Sequence, residues 1–346
     1  MTGAERPAGF LVSHHQNDAF VAVNRLLAAG EDVYWLRDRS AGPPSGGTGW
    51  IYIAARPSTR AVLERAASDL GLVFTGVTMP PSDEALRLRP VRVGLWDRYG
   101  GASTSGWTRW LLERYEFPYE LVFPQTLDAG NLASRYDVII LPDEAVPSRS
   151  DGAPPIADVP PQYRGTLGVM SWERTLPQLR KFVEDGGTLM TIGDAAMLSQ
   201  RMGLPVGDAL VSTAGSGTRP LKPDEFYIPG SVLRVAVDNT TPLGYGFERE
   251  VDVFFDASPA FRLEPGNPAT GARRVAWFAT PSPLRSGWAW GQQYLDGALA
   301  VVDATLGKGH VLIFGPEITY RAQPHGTFKF LFNGIHYARA TPVRLR

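Results

Sequence analysis

Four apolar runs in this sequence end in side chains able to do ionic or acid–base chemistry. VRVGLW is followed by Asp97, Arg98, Tyr99 and the Gly100-Gly101 pair, and VIILP by Asp143 and Glu144. TLMTIG is followed by Asp194, and HVLIFGP by Glu317, Tyr320 and Arg321, with His325 further on. Two carboxyl groups held about 5 to 9 Å apart can act as acid and base, or acid and nucleophile, in glycoside cleavage. An arginine can grip a carboxylate through paired N–H bonds, so Arg98 and Arg321 also suit a peptide C-terminus. The stretch TLMTIGDAAMLS has the layout of a nucleophile elbow, strand to tight corner to helix, with Asp194 where serine or cysteine is expected. A plainer reading has Asp194 capping the helix it begins and Asp97 anchoring a turn.

Composition narrows the chemistry. Cysteine is absent, which excludes disulfides, thiolate metal sites and cysteine nucleophiles. The five histidines, His14, His15, His310, His325 and His336, are followed three positions on by Asn17, Asp18, Ile313, Phe328 and Arg339, so no H-x-x-E zinc motif exists. The pair His15-x-x-Asp18 lacks a third ligand and lies before a helix, where Asn17 or Asp18 is expected to satisfy the N-terminus. No metal ligands are assigned. With 34 Lys+Arg against 35 Asp+Glu the net charge is -1, so no field favours nucleic acid or an anionic membrane. No run approaches the roughly 18 apolar residues of a membrane span, and MTGAERPAGF lacks a signal-peptide core. The expectation is a soluble chain with no export address and an open compartment.

These residues need elements to hold them. NDAFVAVNRLLAAG places Phe20, Val23 and Leu27 on one helical face between Asn17 and Gly30. DVYWL, WIYIAA and LVFTGV read as strands and STRAVLERAASDLG as a helix, which makes residues 1–90 a small α/β unit. From residue 91 strands alternate with helices. SGWTRWLLERY carries Trp107, Trp110, Leu111 and Tyr115 at helical spacing, with Thr104 or Ser105 as cap. WERTLPQLRKFVEDGG turns Leu176, Leu179, Phe182 and Val183 inward, and TFKFLFNGIHYA carries a stripe of Phe328, Leu331, Phe332 and Ile335. Such alternation indicates an open, mostly parallel sheet flanked by helices over 91–346. Between about 205 and 297 the runs SVLRVAVD, REVDVFFD, RRVAWFA and GWAWGQQYL indicate a β-rich insertion. There Trp288, Trp290 and Tyr294 read either as a stacking surface or as an ordinary hydrophobic strand face. Pro/Gly-rich AGPPSGGTG, DGAPPIADVPP and EPGNPATG read as loops.

The series from Val91 onward resembles the class I glutamine amidotransferase-like fold, whose elbow carries cysteine in G-x-C-x-G and whose later strand ends in H-P-E. Here the elbow reads Gly193-Asp194-Ala195-Ala196 and the later strand ends Gly315-Pro316-Glu317, so the resemblance implies a retained acid and lost amidotransferase chemistry. Longer runs, among them HHQNDAFVAVNRLLAAGEDVYWL, VDVFFDASPAFRL, GWAWGQQYLDG and GKGHVLIFGPEITYRAQPHGTFKFLFNGIHY, resemble the region following the catalytic domain of large bacterial zinc carboxypeptidases of the carboxypeptidase A kind. That resemblance implies a non-catalytic accessory or binding region, with zinc only in a separate peptidase domain. It also implies that domain as partner and, if the parent is secreted, an extracytoplasmic setting. The binding candidates are Asp97, Arg98, Asp194, Glu317, Arg321 and His325, for a peptide or glycan ligand. The alternatives are a carboxylate-based hydrolase using Asp194 and Glu317, with Asp97 or Asp143 nearby, and a metallocarboxypeptidase by inheritance.

Overall fold

A strand covered on both faces carries apolar side chains without alternation, and Val93–Trp96 is buried at every position. The computed structural model describes residues 1–37, 49–80, 84–146, 155–212, 217–265 and 270–345. Most of the first Pro/Gly loop, the start of the second and half of the third fall outside these residues. Val93–Trp96 pairs in parallel with Tyr119–Val122 on one side and Val138–Leu141 on the other. Val138–Leu141 pairs in parallel with Thr188–Ile192, and that strand with Gly309–Phe314. Beyond it the sheet runs antiparallel through Leu299–Leu306, Thr270–Trp277, Ser231–Val237 and Glu250–Phe255. The chain is α/β, with an open sheet whose parallel strands form one side and whose β-rich segment extends the other.

The helices are α1 (Asp18–Ala28), α2 (Thr59–Leu70), α3 (Ser103–Arg114), α4 (Pro124–Asp128), α5 (Thr175–Glu184), α6 (Leu198–Arg201) and α7 (Phe328–Tyr337). Period-two alternation assigns the two faces of the sheet. Val138 and Ile140 join a core that includes Leu111 of α3 and Leu331 of α7, whereas Ile139 and Leu141 join Leu179 and Phe182 of α5. The expected stripe of α7 is buried, and so are Phe330, Asn333, Gly334 and His336 on its other sides. A helix buried all round needs partners on every face. At Gly334 an added Cβ would lie 2.6 Å from Met190 Cε, so α7 sits directly on the elbow strand.

A second sheet is mostly antiparallel and runs in the order Thr2–Gly3, Thr75–Val77, Gly9–Val12, Ile51–Ala54, Val33–Leu36, Glu84–Arg87, Thr341–Arg344. Its last strand comes from the C-terminal end, with Pro342 opposite Leu86, so both ends of the chain build it. Phe10, Phe20 and Trp35 share one core with Phe330 and Phe332, which fuses the 1–90 unit to the main sheet. No helix among the described residues is long and apolar enough to cross a membrane.

Four local expectations are corrected. Asn17 does not cap α1: its backbone is α-helical, and its Nδ2 donates instead to the carbonyl of His325 at 2.9 Å. Neither Thr104 nor Ser105 caps α3, because their hydroxyls donate to the carbonyls of Asp143 and Trp96 across the crevice. Trp107 and Trp110 point outward while Leu111 and Tyr115 are buried, so the apolar face of α3 is narrower than its composition indicates. GWAWGQQYL is not a strand. It forms a tight irregular segment and the short 3-10 turn Gln292–Leu295.

Candidate functional site

The carboxyl ends of the parallel strands converge with the corner after Glu250–Phe255. The elbow strand Thr188–Ile192 stops at Gly193, whose φ of 59° lies in the left-handed region. Glycine is required there twice over: a side chain would be strained, and its Cβ would lie 2.3 Å from Asp143 Oδ1. In a nucleophile elbow the strained corner residue carries the reactive group. Here that residue is Gly193, and Asp194 is the next one, in the 3-10 turn Gly193–Met197. The elbow geometry is kept, but the expected position of Asp194 within it shifts by one residue. Asp194 does not cap the turn through its side chain. Its backbone N–H donates to Asp143 Oδ1 at 2.7 Å, and loss of solvation plus the Asp143 charge raise its carboxyl above the usual range.

Asp97 takes the structural role. Its Oδ1 accepts the N–H groups of Arg98 at 2.8 Å and Ala102 at 2.9 Å, closing the Gly100-Gly101 turn that leads into α3. Arg98 reaches over to Glu144, Nη2 to Oε2 2.7 Å. Glu144 is held at φ 71°, an unusual conformation for a residue with a side chain. Thr104 Oγ1 donates to the Asp143 carbonyl at 2.7 Å and ties this loop to α3.

The loop after Gly309–Phe314 brings Glu317, Tyr320 and Arg321. Thr327 Oγ1 donates to the Ile318 carbonyl at 2.7 Å, and Arg321 and Ala322 both take left-handed backbone, with φ of 47° and 52°. The Tyr320 ring stacks on Phe254 at a 3.9 Å centroid distance, with the Arg321 guanidinium 5.0 Å from its own neighbour's ring centre. His325 stands apart, exposed, with its ring against Phe328 at 4.9 Å.

A cleft of about 250 Å³ opens between these loops, lined among others by Trp107, Asp143, Glu144, Asp256, Glu317 and Arg321. Neither Arg98 nor Asp194 is part of its lining, though the Asp194 charge acts on Glu317; Asp97 and His325 also lie outside the wall. Asp256 is the residue sequence reasoning missed. REVDVFFD ends in this acid just as the parallel strands end in theirs, but its strand is antiparallel and lies outside the rule that directed attention to carboxyl ends. Burial pushes the Glu317 carboxyl up to about 7, and the charges of Asp143, Asp256, Asp194 and Glu144 act in the same direction. A carboxyl raised to about 7 can act as a proton donor in the cleft near neutral pH. Among the described residues no group of three or more His, Cys, Asp or Glu is arranged to hold a metal ion. His15 Nδ1 lies 3.6 Å from Glu248 Oε1.

No protein-family model matches the sequence, and no curated protein does. Among solved structures, the chain is similar to a ThuA-like protein from Bacteroides uniformis at 11% identity and TM-score 0.38, covering 72% of this chain and 91% of that one. It is similar to the PurLQS structure from Thermotoga maritima at 17% identity and TM-score 0.42, covering 72% and 99%. A β-galactosidase from Bacillus circulans sp. alkalophilus aligns at 11% identity and TM-score 0.41 over 74% of this chain, which spans 32% of that enzyme. The fold class rests on the strand order itself: five parallel strands carrying an elbow at Gly193, extended by antiparallel strands.

Proposed function

We propose that this chain is a non-catalytic binding module working beside a catalytic domain, and that its strand-end cleft takes the neutral, polyhydroxylated end of a glycan. The observation that carries this reading is Glu317, pushed up to about 7 among Asp143, Glu144 and Asp256. A protonated carboxyl donates one hydrogen bond while carboxylates only accept, and a sugar hydroxyl both donates and accepts. Trp107, exposed at the rim, adds a ring face. A peptide C-terminus suits the cleft less well: Arg98 is engaged by Glu144, and the ligand's negative charge would meet several carboxyl groups. The accessory role is the one implied by the resemblance of the long sequence runs to the region downstream of carboxypeptidase A-like catalytic domains.

Calorimetric titration of the purified chain with neutral monosaccharides and with dipeptides tests this. Sugars are expected to bind at pH 6 and to weaken several-fold by pH 8, as Glu317 loses its donor proton, while Glu317→Gln keeps a donor and binds equally at both. Binding of dipeptides through their free carboxylate, with none of sugars, overturns the reading.

The proton on Glu317 also favours a second reading, a carboxylate-based glycoside hydrolase with Glu317 as general acid. Release of reducing ends from a glycoside, abolished in Glu317→Gln, would establish that reading and overturn the binding-only one.

A further inference from the structure

Beyond the cleft, one surface carries large aromatic side chains left uncovered on a closely hydrogen-bonded backbone. Tyr227, Trp288, Trp290 and Tyr294 are 48%, 54%, 54% and 42% exposed. The Tyr227 and Trp288 rings meet edge to face at 5.9 Å, and the backbones of Tyr227 and Trp290 exchange two hydrogen bonds of 2.9 and 3.0 Å. Trp288 is pinned through both its N–H and its carbonyl to Ser231 Oγ, at 3.0 and 2.7 Å. The indole N–H of Trp290 donates to the Asp224 carbonyl at 2.7 Å. Gly291, at φ 75°, lets the segment press against Glu225, whose carbonyl would lie 2.1 Å from an added Cβ. Rings ordered beforehand lose little freedom when a ligand stacks on them.

This surface continues from the cleft. Tyr320, in the cleft wall, stacks on Phe254, and Phe254 pairs with Val232, which pairs with Ser286, two residues before Trp288. The span from Phe254 to Ser286 is two strand spacings, about 10 Å. The corner that carries Asp256 into the cleft is tied to the same surface, because the Ala257 N–H donates to the carbonyl of Ile228, next to Tyr227. Within 217–236 and 284–297 the exposed large hydrophobic side chains are all aromatic. Aromatic faces carry a negative quadrupole that attracts the C–H face of a pyranose.

We infer that Tyr227, Trp288, Trp290 and Tyr294 form an extended stacking subsite for a neutral oligosaccharide whose terminal unit occupies the cleft. The inference rests on the glycan reading above and deepens it from a sugar end to a chain several units long.

The test is calorimetric titration of the whole chain at pH 6 with neutral gluco-, xylo-, galacto- and N-acetylglucosaminyl-hexasaccharides and their matched monosaccharides. One hexasaccharide is expected to bind at least about tenfold tighter than its monosaccharide. Trp288→Ala and Trp290→Ala are each expected to remove roughly threefold to tenfold of that affinity, in line with the strength of aromatic contacts, and to leave the monosaccharide unchanged. Trp288→Phe retains most of the gain, which separates loss of a ring from loss of fold. Equal affinity for short and long sugars, or alanine variants indistinguishable from the parent, overturns the subsite. So does an oligolysine peptide that binds through these rings while the sugars do not. If Glu317→Ala leaves every sugar affinity unchanged while the tryptophan variants lower that of the hexasaccharide, the cleft reading fails and the aromatic subsite stands.

Discussion

Asp143 Oδ1 accepts a 2.7 Å hydrogen bond from the backbone N–H of Asp194, and with that bond the loop after one strand closes over the elbow of its neighbour. The same oxygen fills the space a side chain on Gly193 would need. The slot where an elbow presents its reactive group is therefore held by a carboxylate from the adjacent strand end.

Replacing Gly193 by alanine is expected to cost at least about 2 kcal/mol, since a left-handed backbone alone costs roughly 1–2 kcal/mol and the clash with Asp143 adds to it. Urea denaturation of Gly193→Ala, Asp143→Ala and the double variant checks this. The double variant is expected to lose less than the sum of the singles, because removing the Asp143 side chain makes room for the methyl group. Strict additivity would mean that the two positions do not compete for the same space.

Glu317 gives stability a definite pH dependence. Its folded carboxyl titrates near 7 rather than at the ordinary 4.5, so between these values the folded state holds the proton more tightly than the unfolded chain. Stability from this group is full below about 4.5 and falls as pH rises to about 7, by on the order of 1–3 kcal/mol after allowance for its partial exposure. Glu317→Gln is expected to match the parent at pH 5 and exceed it at pH 8 in chemical denaturation.

His336 works in the opposite direction. Among the described residues neither buried ring nitrogen has a hydrogen-bond partner, and burial pushes its pKa down to about 3; burial likewise lowers His14 to about 4. Their folded pKa values lie below the ordinary 6.5, so stability is full above that pH and declines as pH falls toward 3. His336→Phe keeps a ring between Phe20 and Phe117 and removes the orphaned polar atoms, for a gain of about 1–3 kcal/mol. A flatter acid limb in its denaturation profile is the expected sign.

Asn333 joins three parts of the chain while wholly buried. Its Oδ1 lies 2.9 Å from His14 Nε2, and its Nδ2 donates to the carbonyls of Leu243 and Tyr245 at 3.0 and 2.9 Å. Asn333→Ala leaves those partners unsatisfied and is expected to cost about 3 kcal/mol. Hydrogen exchange should show loss of protection in Gly9–Val12 and α7 together, whereas loosening of α7 alone would contradict a joint between the two sheets.

Strand and helix identity along the parallel half was legible because continuous apolar runs and 3.6-residue stripes are local signals: Val138–Leu141, Thr188–Ile192 and α5 formed as their patterns indicate. Caps were not. Asn17, Thr104 and Ser105 have the right chemistry for capping, but better partners came from His325 and Asp143, remote in sequence, and from Trp96 at the end of the preceding strand. The cluster of strand-end acids was readable as a set of candidates, since carboxyl ends of parallel strands share one edge. Asp97 and His325 shared that edge without reaching the cleft, and Asp256 entered from an antiparallel strand that no local rule links to it.

By itself the sequence determined the absence of thiols and of an H-x-x-E motif, the near-zero net charge and the order of strands and helices, because these depend on residue types and short-range spacing. Tertiary structure alone decided that Gly193 rather than Asp194 stands at the corner, that the last strand crosses to the first sheet, and that burial pushes the Glu317 carboxyl up to about 7. Each of those depends on which distant groups come within a few ångströms, and both electrostatic and packing energies fall off too steeply with distance for sequence spacing to reveal them.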